Sequence, residues 1–315
     1  MTNRPLIILL GNDYDETDHA VLFPEVRRRG ADIERVHPDE LVTELTEDGA
    51  RFFFKGEEIS PDLVVGWVYE DILYRGMYQL EAFERMGVPV LNTARTLFCG
   101  QNKYLNSVML HAAGVPHLRV LSGRDGETLL TWARSQSFPL VLKPIVGFGG
   151  NGLQKIESME QLAKVAPSLA PDEHYYIVPF VDNPGRDIRV YCLNYEPVYA
   201  HYRYAPEGQW ITNFSAGGSM APCNLTPELM EIAARASRSV GARMSGVDVV
   251  EDQATGTLRI FEVNTCPSNE PPVLPDFAQF LVEAATDYTR TLDSWKPEHV
   301  LYEPKPTDKL FHDYA

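Results

Sequence analysis

Apolar runs closed by glycine alternate with amphipathic stretches along the first part of the chain. PLIILLG (5–11) is apolar throughout and predicts a strand buried on both faces. HAVLFPEVRRRG predicts a helix ending at Gly30, ADIERV a strand, and ARFFFKGEEIS a hairpin turning at Lys55-Gly56. PDLVVGW is a further core strand, 71–86 a helix closed by Gly87, and VPVLN a short strand. This alternation predicts a small open α/β domain over 1–92. A second unit, 93–180, comes next: QNKYLNSVMLHAAG as a helix stopped by Gly114, HLRVL as a strand and GETLLTWARSQ as a helix. FPLVLKP and GLQKI are strands on either side of a glycine-rich loop, with a helix over 158–169 and the strand HYYIVPF after them. Strands dominate the third unit, 181–292: RDIRVYCLN, EPVYAHYRY, GVDVV and TLRIFEVN. Its helices are TPELMEIAARASRSVG, with Thr226 as N-cap and Pro227 at the first position, and one near 275–292. The remainder, 293–315, is proline-rich without a clear period and predicts an extended arm.

The loop between FPLVLKP and GLQKI reads VGFGGNG, and Gly147, Gly149 and Gly152 satisfy the letters of a dinucleotide fingerprint. The setting differs. A fingerprint's last glycine opens a helix, whose N-terminal amides hold pyrophosphate, whereas Gly152 leads into a strand. A Walker loop is also excluded, because Lys143 precedes the glycines and no G-K-[ST] comes after them. Two readings stay open: a mobile turn, or an anion cradle of backbone N–H groups. Lys143, closing an apolar strand, calls for an anionic partner.

In SGVDVVEDQATGTLRIFEVN, a turn centred on Thr255 sets Asp248 opposite Glu262, and Asn264 shares the Glu262 face. Opposed carboxylates inside apolar strands need a cation between them, unless both are exposed strand-edge acids. Two carboxylates and an amide suit magnesium better than zinc. On the strand GRDIRV, Asp187 and Arg189 point the same way, and Arg203 lies on the next strand. With Lys103 and Lys143 they have the make-up of a triphosphate site. His37, His111, His117 and His201 have no partner at metal-ligand spacing and are expected to be structural, and Trp67, Tyr69 and Tyr74 are core or pocket aromatics.

Composition narrows the function classes. The 315 residues are 44% hydrophobic and 23% charged, as in ordinary globular proteins. No apolar run approaches the ~18 residues of a membrane span. The first one is too short for a signal-peptide core, so a cytoplasmic protein is expected. Cys99, Cys192, Cys223 and Cys266 form no C-x-x-C pair, which argues for free thiols. A net charge of −16 argues against nucleic acid and disfavours an acidic protein partner.

The ordered segments NKYLNSVMLHAAGVP, LVLKPIVGFGGNG, IVPF, GRDIRV, TNFSAGGS, SGVDVV and FEVNTCPS resemble the ATP-grasp superfamily. Within it the chain is similar to the RimK-type carboxylate–amine ligases, and WITNFSAGG resembles the lysine- and arginine-biosynthesis ligases that act on a carrier protein. The resemblance covers about residues 1 to 290 and implies an α+β ATP-grasp fold, an N-terminal domain and two subdomains clasping ATP. It implies that Lys103 and Lys143 contact the phosphates and that Gly147, Gly149, Gly150 and Gly152 form a lid over them. Val178, Pro179 and Phe180 would hold adenine through backbone groups and Asp187 the ribose. Arg189 and Arg203 would serve the reacting groups, Asn213 would sit near the triphosphate, and Asp248, Glu262 and Asn264 would hold two Mg2+ ions, with Mn2+ as a substitute. The implied reaction forms an amide through an acyl phosphate. The substrates expected are a small carboxylate and a small amine, with a carrier-protein C-terminus as the alternative and a non-catalytic ATP-binding protein as a rival of another class. A homo-oligomer, dimer or tetramer, is implied as well. One departure concerns substrate: where the glutamate ligases have R-S-N-L-H-R-G-G, this chain has ITNFSAGG, so Ile211, Ser215 and Ala216 replace three basic residues.

Overall fold

The computed structural model describes residues 4–297 apart from 15, 70, 148–149, 151, 169–173, 213–216 and 269. Gly149, Asn213 and the tail beyond 297 therefore lie outside the described residues. The elements begin with β1 (Leu6–Gly11), α1 (Glu16–Arg29), β2 (Asp32–Val36), β3 (Leu41–Thr46), β4 (Gly49–Phe54), β5 (Glu57–Ile59), β6 (Leu63–Trp67), α2 (Leu73–Arg85) and β7 (Val90–Leu91). The apolar strands pair in parallel in the order β2-β1-β6-β7. The hairpin at Lys55-Gly56 forms as predicted, both residues at positive φ (51° and 82°), the conformation of a tight turn whose twist suits paired strands. It gains a third, unpredicted strand, β3, whose alternating VTELT carries exposed side chains and so leaves a weak apolar signal.

The middle region holds α3 (Ala94–Gln101), α4 (Lys103–Ala112), β8 (Leu121–Gly123), α5 (Gly126–Ala133), β9 (Leu140–Pro144), β10 (Gln154–Ile156), α6 (Met159–Val165) and β11 (Tyr175–Pro179). Its antiparallel sheet runs β10-β9-β11-β8. The helix expected over 101–114 is α4, which starts at Lys103, and α3 before it was not expected. Asn102 takes an extended conformation and its side chain accepts from Leu105 N at 3.0 Å, capping α4 at Lys103. Only Leu121 of the predicted HLRVL strand enters β8; His117 makes an isolated bridge to Ile260 instead.

The last region comprises β12 (Arg186–Leu193), β13 (Glu196–Tyr204), β14 (Ser219–Pro222), α7 (Pro227–Val240), β15 (Met244–Asp252), β16 (Thr257–Asn264), α8 (Leu274–Thr286) and α9 (Tyr288–Ser294). Its antiparallel sheet runs β14-β13-β12-β15-β16. The helix expected near 275–292 breaks at Asp287, which caps α9 by accepting from Arg290 N at 3.1 Å. The chain after 292 is not simply an arm: Trp295 is buried and its ring lies 5.1 Å from that of Phe280.

α8 returns to the N-terminal sheet. Phe277, Phe280 and Leu281 share one core with Ile7, Leu63 and Trp67, and that core continues into Tyr191 and Met244 of the last sheet. Two buried asparagines reinforce the junction by acting as surrogate strands. Asn92 Nδ2 donates to Met244 O at 2.8 Å and Thr265 O at 3.1 Å, and its Oδ1 accepts from Met244 N. Asn106 brackets Val263 in the same way. α2 in turn sits close on the strand end, because Gly76 has no side chain: a Cβ there would lie 2.4 Å from Val68 Cγ1. Alanine ordinarily improves a helix interior by about 1 kcal/mol over glycine, but overpacking a core costs about 1–3 kcal/mol. Urea denaturation of Gly76→Ala should therefore show a net loss of stability, whereas a gain would mean that α2 can shift outward.

Candidate active site

The last sheet sets its polar residues by register. Asp187 pairs with Arg203 across β12–β13, Arg189 with Asp248 across β12–β15, and Asp248 with Glu262 across β15–β16. The opposition of 248 and 262 is the one expected from the sequence, but the hairpin is not regular. A bulge beside Asp248 shifts the register, so Val249 faces Ile260 and Phe261 is the extra residue. Ile260 and Val263 are then both in the core, while the consecutive Phe261 and Glu262 both reach the cavity. Without the bulge, one of that pair would point away.

These side chains form a buried line of alternating charge. Arg203 donates bidentately to Asp187, at 2.8 and 2.7 Å, and its Nη2 also lies 3.0 Å from Asp248 Oδ2. Arg189 grips Asp248 from the other side, through Nε to Oδ1 and through Nη2 to Oδ2 at 3.1 Å. Thr212 Oγ1 donates to Asp187 at 2.8 Å, and Asn264 Nδ2 to Asp248 at 3.2 Å. Burial would raise the Asp248 carboxyl, but the two guanidinium groups outweigh it and hold it below the usual range. Gly246 makes room for Arg189, since a Cβ there would lie 2.8 Å from its Cδ and Nη1.

The line forms the floor of a cavity of about 850 Å3 between the last two sheets. Lys103 and Lys143 enter from α4 and β9. Lys103 Nζ donates to the Gly147 carbonyl and lies 3.9 Å from Glu262. Lys143 stands over the Phe261 ring at 5.0 Å, without an ion pair to any described carboxylate. Burial, and then the Lys103 charge, pull its ammonium below the usual lysine range although Glu262 and Asp248 favour the charged form. An anion entering here would restore it. Gly147, Gly150 and Gly152 have φ of 140°, 79° and 73°, a backbone that L side chains rarely adopt. The opposite end of the cavity is apolar, with Val141, Leu153, Val178, Phe180 and Trp210. The expected adenine hinge needs an adjustment. Pro179 has no N–H, and that of Phe180 donates to Pro139 O at 3.0 Å, so Val181 is the next residue that can offer one.

The structure thus brings Lys103, Lys143, Gly147, Gly150, Val178, Pro179, Phe180, Asp187, Arg203, Asp248 and Glu262 around one cavity. Arg189 and Asn264 join it through Asp248, and Gly152 lies at the end of the glycine loop. Asp187, expected at a ribose, has both oxygens committed to Arg203, with Thr212 as a further donor. Trp67 is core, Tyr74 is 63% exposed, and Tyr69 lies beside a neighbouring cavity. Trp210, Thr212 and Phe261 escaped the sequence analysis. The WIT preceding the NFSAGG segment was a signal for the first two, whereas Phe261 depends on a bulge that strand alternation does not reveal. No group of three or more His, Cys, Asp or Glu gathers among the described residues. Two carboxylates and an amide nevertheless fit a hard divalent cation that completes its oxygen shell with phosphate and water.

His201, between the Tyr191 and Tyr199 rings at 5.8 Å each, is a neutral imidazole, pulled down to about 3 by burial and then by Arg203 and Arg189. The unfolded imidazole takes up a proton as pH falls through its ordinary 6.5, and the folded one does so only near 3. Stability is therefore complete above that upper value and falls as pH drops between the two, by up to about 1.4 kcal/mol per pH unit. Urea unfolding at pH 7, 6 and 5 should show this slope in the wild type and a shallower one in His201→Phe. Equal slopes would mean that His201 takes its proton in the fold.

Residues 101–272 match the RimK-like ATP-grasp domain. The chain is 30% identical over 263 residues to the tetrahydromethanopterin:alpha-L-glutamate ligase of Methanosarcina acetivorans, covering 73% of this chain and 81% of that protein. It is 27% identical over 215 residues to the alpha-aminoadipate–LysW ligase LysX of Saccharolobus solfataricus, covering 66% and 78%. The ATP-grasp ligase PsnB, solved with a minimal precursor, Mg and ADP, superposes with a TM-score of 0.70 at 20% identity, covering 91% of this chain and 99% of that one. No helix of the described residues is long and apolar enough to cross a membrane. The chain belongs to the RimK-like ATP-grasp family and is an ATP-dependent carboxylate–amine ligase.

Proposed function

We propose that the chain joins a small amino acid or peptide-like carboxylate to an amine through an acyl phosphate. The observation that carries this is the convergence of Lys103, Lys143, Arg203, Asp248 and Glu262 at one end of a cavity whose other end is apolar. The apolar end suits adenine between Phe180 and Trp210, and Lys103 and Lys143 suit the phosphates. Gly147, Gly150 and Gly152, with Gly149 outside the described residues, would close over them. Asp248, Glu262 and Asn264 would hold two Mg2+ ions, which when bound neutralise phosphate charge. Arg189 and Arg203 hold the floor rigid and present positive charge to the transferring group. A carboxylate oxygen attacks the γ-phosphorus and ADP leaves. The amine nitrogen then attacks the acyl carbon, phosphate leaves, and the nitrogen gives up a proton. Closure of the glycine loop keeps water from the acyl phosphate.

Ile211, rather than a cation, lines this cavity, which favours a carboxylate substrate without a second negative charge. The similarity to LysX supports a carrier-protein acceptor as the second reading, against which the net charge of −16 weighs. The division into 1–92, 93–180, 181–292 and a tail is supported by the ranges of the sheets. The family resemblance further supports a cytoplasmic homo-oligomer, with Asn213 near the triphosphate.

Incubation with ATP, Mg2+ and a pool of amino acids should release phosphate and yield amides detectable by mass spectrometry. ATP binding without phosphate release for any acceptor would overturn the proposal. Glu262→Ala and Lys143→Met should each lower turnover by about 10²-fold or more, the scale for removing a group that stabilises transition-state charge. Retained activity in Glu262→Ala would mean that the metal is held elsewhere.

A further inference from the structure

Away from the nucleotide site, the fold joins two histidines whose separation of six residues matches no metal-binding spacing. α4 ends at Ala112, and the chain reverses at Gly114, which has a φ of 62°. Val115 N then donates to Leu110 O at 3.0 Å, and Ile260 N donates to Pro116 O at 2.9 Å. His117 bridges to Ile260, so it is held to β16, while His111 stands in the last turn of α4. The reversal sets His111 Nδ1 3.3 Å from His117 Nε2, with the ring planes at 89° to one another.

The spacing is long for a hydrogen bond donated by nitrogen, which is commonly about 2.9–3.0 Å. It matches two ligands of one tetrahedral ion. Imidazole nitrogens about 2.0–2.1 Å from Zn2+ stand about 3.3–3.4 Å apart, whereas neighbouring ligands of a square-planar ion at the same bond length stand about 2.9 Å apart. The tautomer of His117 also suits a ligand. Its Nδ1 lies 2.6 Å from the Leu118 carbonyl, which can only accept, so Nδ1 carries the proton and Nε2 turns its lone pair to His111. Metal-binding histidines typically donate their other N–H to such a carbonyl. His111 is exposed, so its proton can pass through solvent from Nδ1 to Nε2, with no net proton released. The field has the matching sign. The last turn of a helix attracts cations, and the net charge of −16 does so at longer range. Arg235, which donates to the Gly114 carbonyl at 2.8 Å, has Glu231 at 3.7 Å to balance its charge.

We propose that His111 Nδ1 and His117 Nε2 bind one Zn2+ ion. No third His, Cys, Asp or Glu joins them among the described residues, so water completes the tetrahedron. The nitrogen donors set this site apart from the oxygen donors offered to Mg2+ in the cavity. With one ligand on α4 and the other held to β16, the ion braces from outside the two elements that bring Lys103 and Glu262 to the cavity.

Isothermal titration of the full, nucleotide-free chain, without a polyhistidine tag, with Zn2+ in excess Mg2+ tests this. One ion per chain is expected, with affinity lower by about tenfold or more in His111→Asn and in His117→Gln, the scale for disturbing a metal's ligand environment. ADP binding by each variant checks that it folds. Co2+, which absorbs strongly in the visible when tetrahedral, should give that band with the wild type and with neither variant. Zn2+ should also raise the unfolding temperature of the wild type more than that of either variant, as binding to the native state requires. Equal affinity in the wild type and both variants would place the ion elsewhere and overturn the proposal. Absence of saturable binding in the wild type would overturn it too, leaving the histidine contact as a hydrogen bond alone.

Discussion

The site depends on the buried line Asp187–Arg203–Asp248–Arg189. Removing such groups from water costs several kcal/mol each, and the cost is offset only when geometry is good and every remaining polar atom is paired. Here the carboxylates are gripped from β12 and β13, with Thr212 and Asn264 as additional donors. The alternation of sign fixes the positions of all four side chains before any nucleotide arrives. It also ties Asp248, a proposed metal ligand, to two cations, so a divalent ion held by Glu262 and Asn264 would have to share that carboxylate with Arg189 and Arg203. Phosphate oxygens entering the cavity would relieve this competition by giving the guanidinium groups another anion.

The remainder of the fold serves to bring other elements to that line. The bulge in β15–β16 turns Glu262 toward the cavity while keeping Val263 in the core. Asn106 fastens β16 to α4, whose first residue is Lys103, so the lysine and the carboxylate opposite it are set by one pair of side-chain hydrogen bonds. Asn92 and α8 fasten the N-terminal sheet to the same sheet end. A smaller cavity at this junction shares Lys103, Gly147 and Glu262 with the first.

Much of this was legible in the chain because it depends on local pattern. Continuous apolar runs give the parallel strands, Thr226-Pro227 gives the start of α7, and alternation places Asp187 with Arg189 and Asp248 opposite Glu262. The glycine letters were separated from a dinucleotide fingerprint by the element they lead into, the strand β10 rather than a helix. The features that were not legible depend on contacts distant in sequence. α3 was missed altogether, and only the Asn102 cap sets the first turn of α4 at Lys103. The partner that occupies Asp187 lies one strand away, and nothing local shows whether an acid meets a ribose or an arginine.

The central claim is that a substrate carboxylate takes the γ-phosphoryl group before an amine displaces it. Amino acids labelled with oxygen-18 in the carboxylate, supplied with ATP and Mg2+, test this through the phosphate released. The account predicts phosphate carrying one labelled oxygen, because the carboxylate oxygen that attacks phosphorus leaves with it. Unlabelled phosphate alongside amide formation would contradict it.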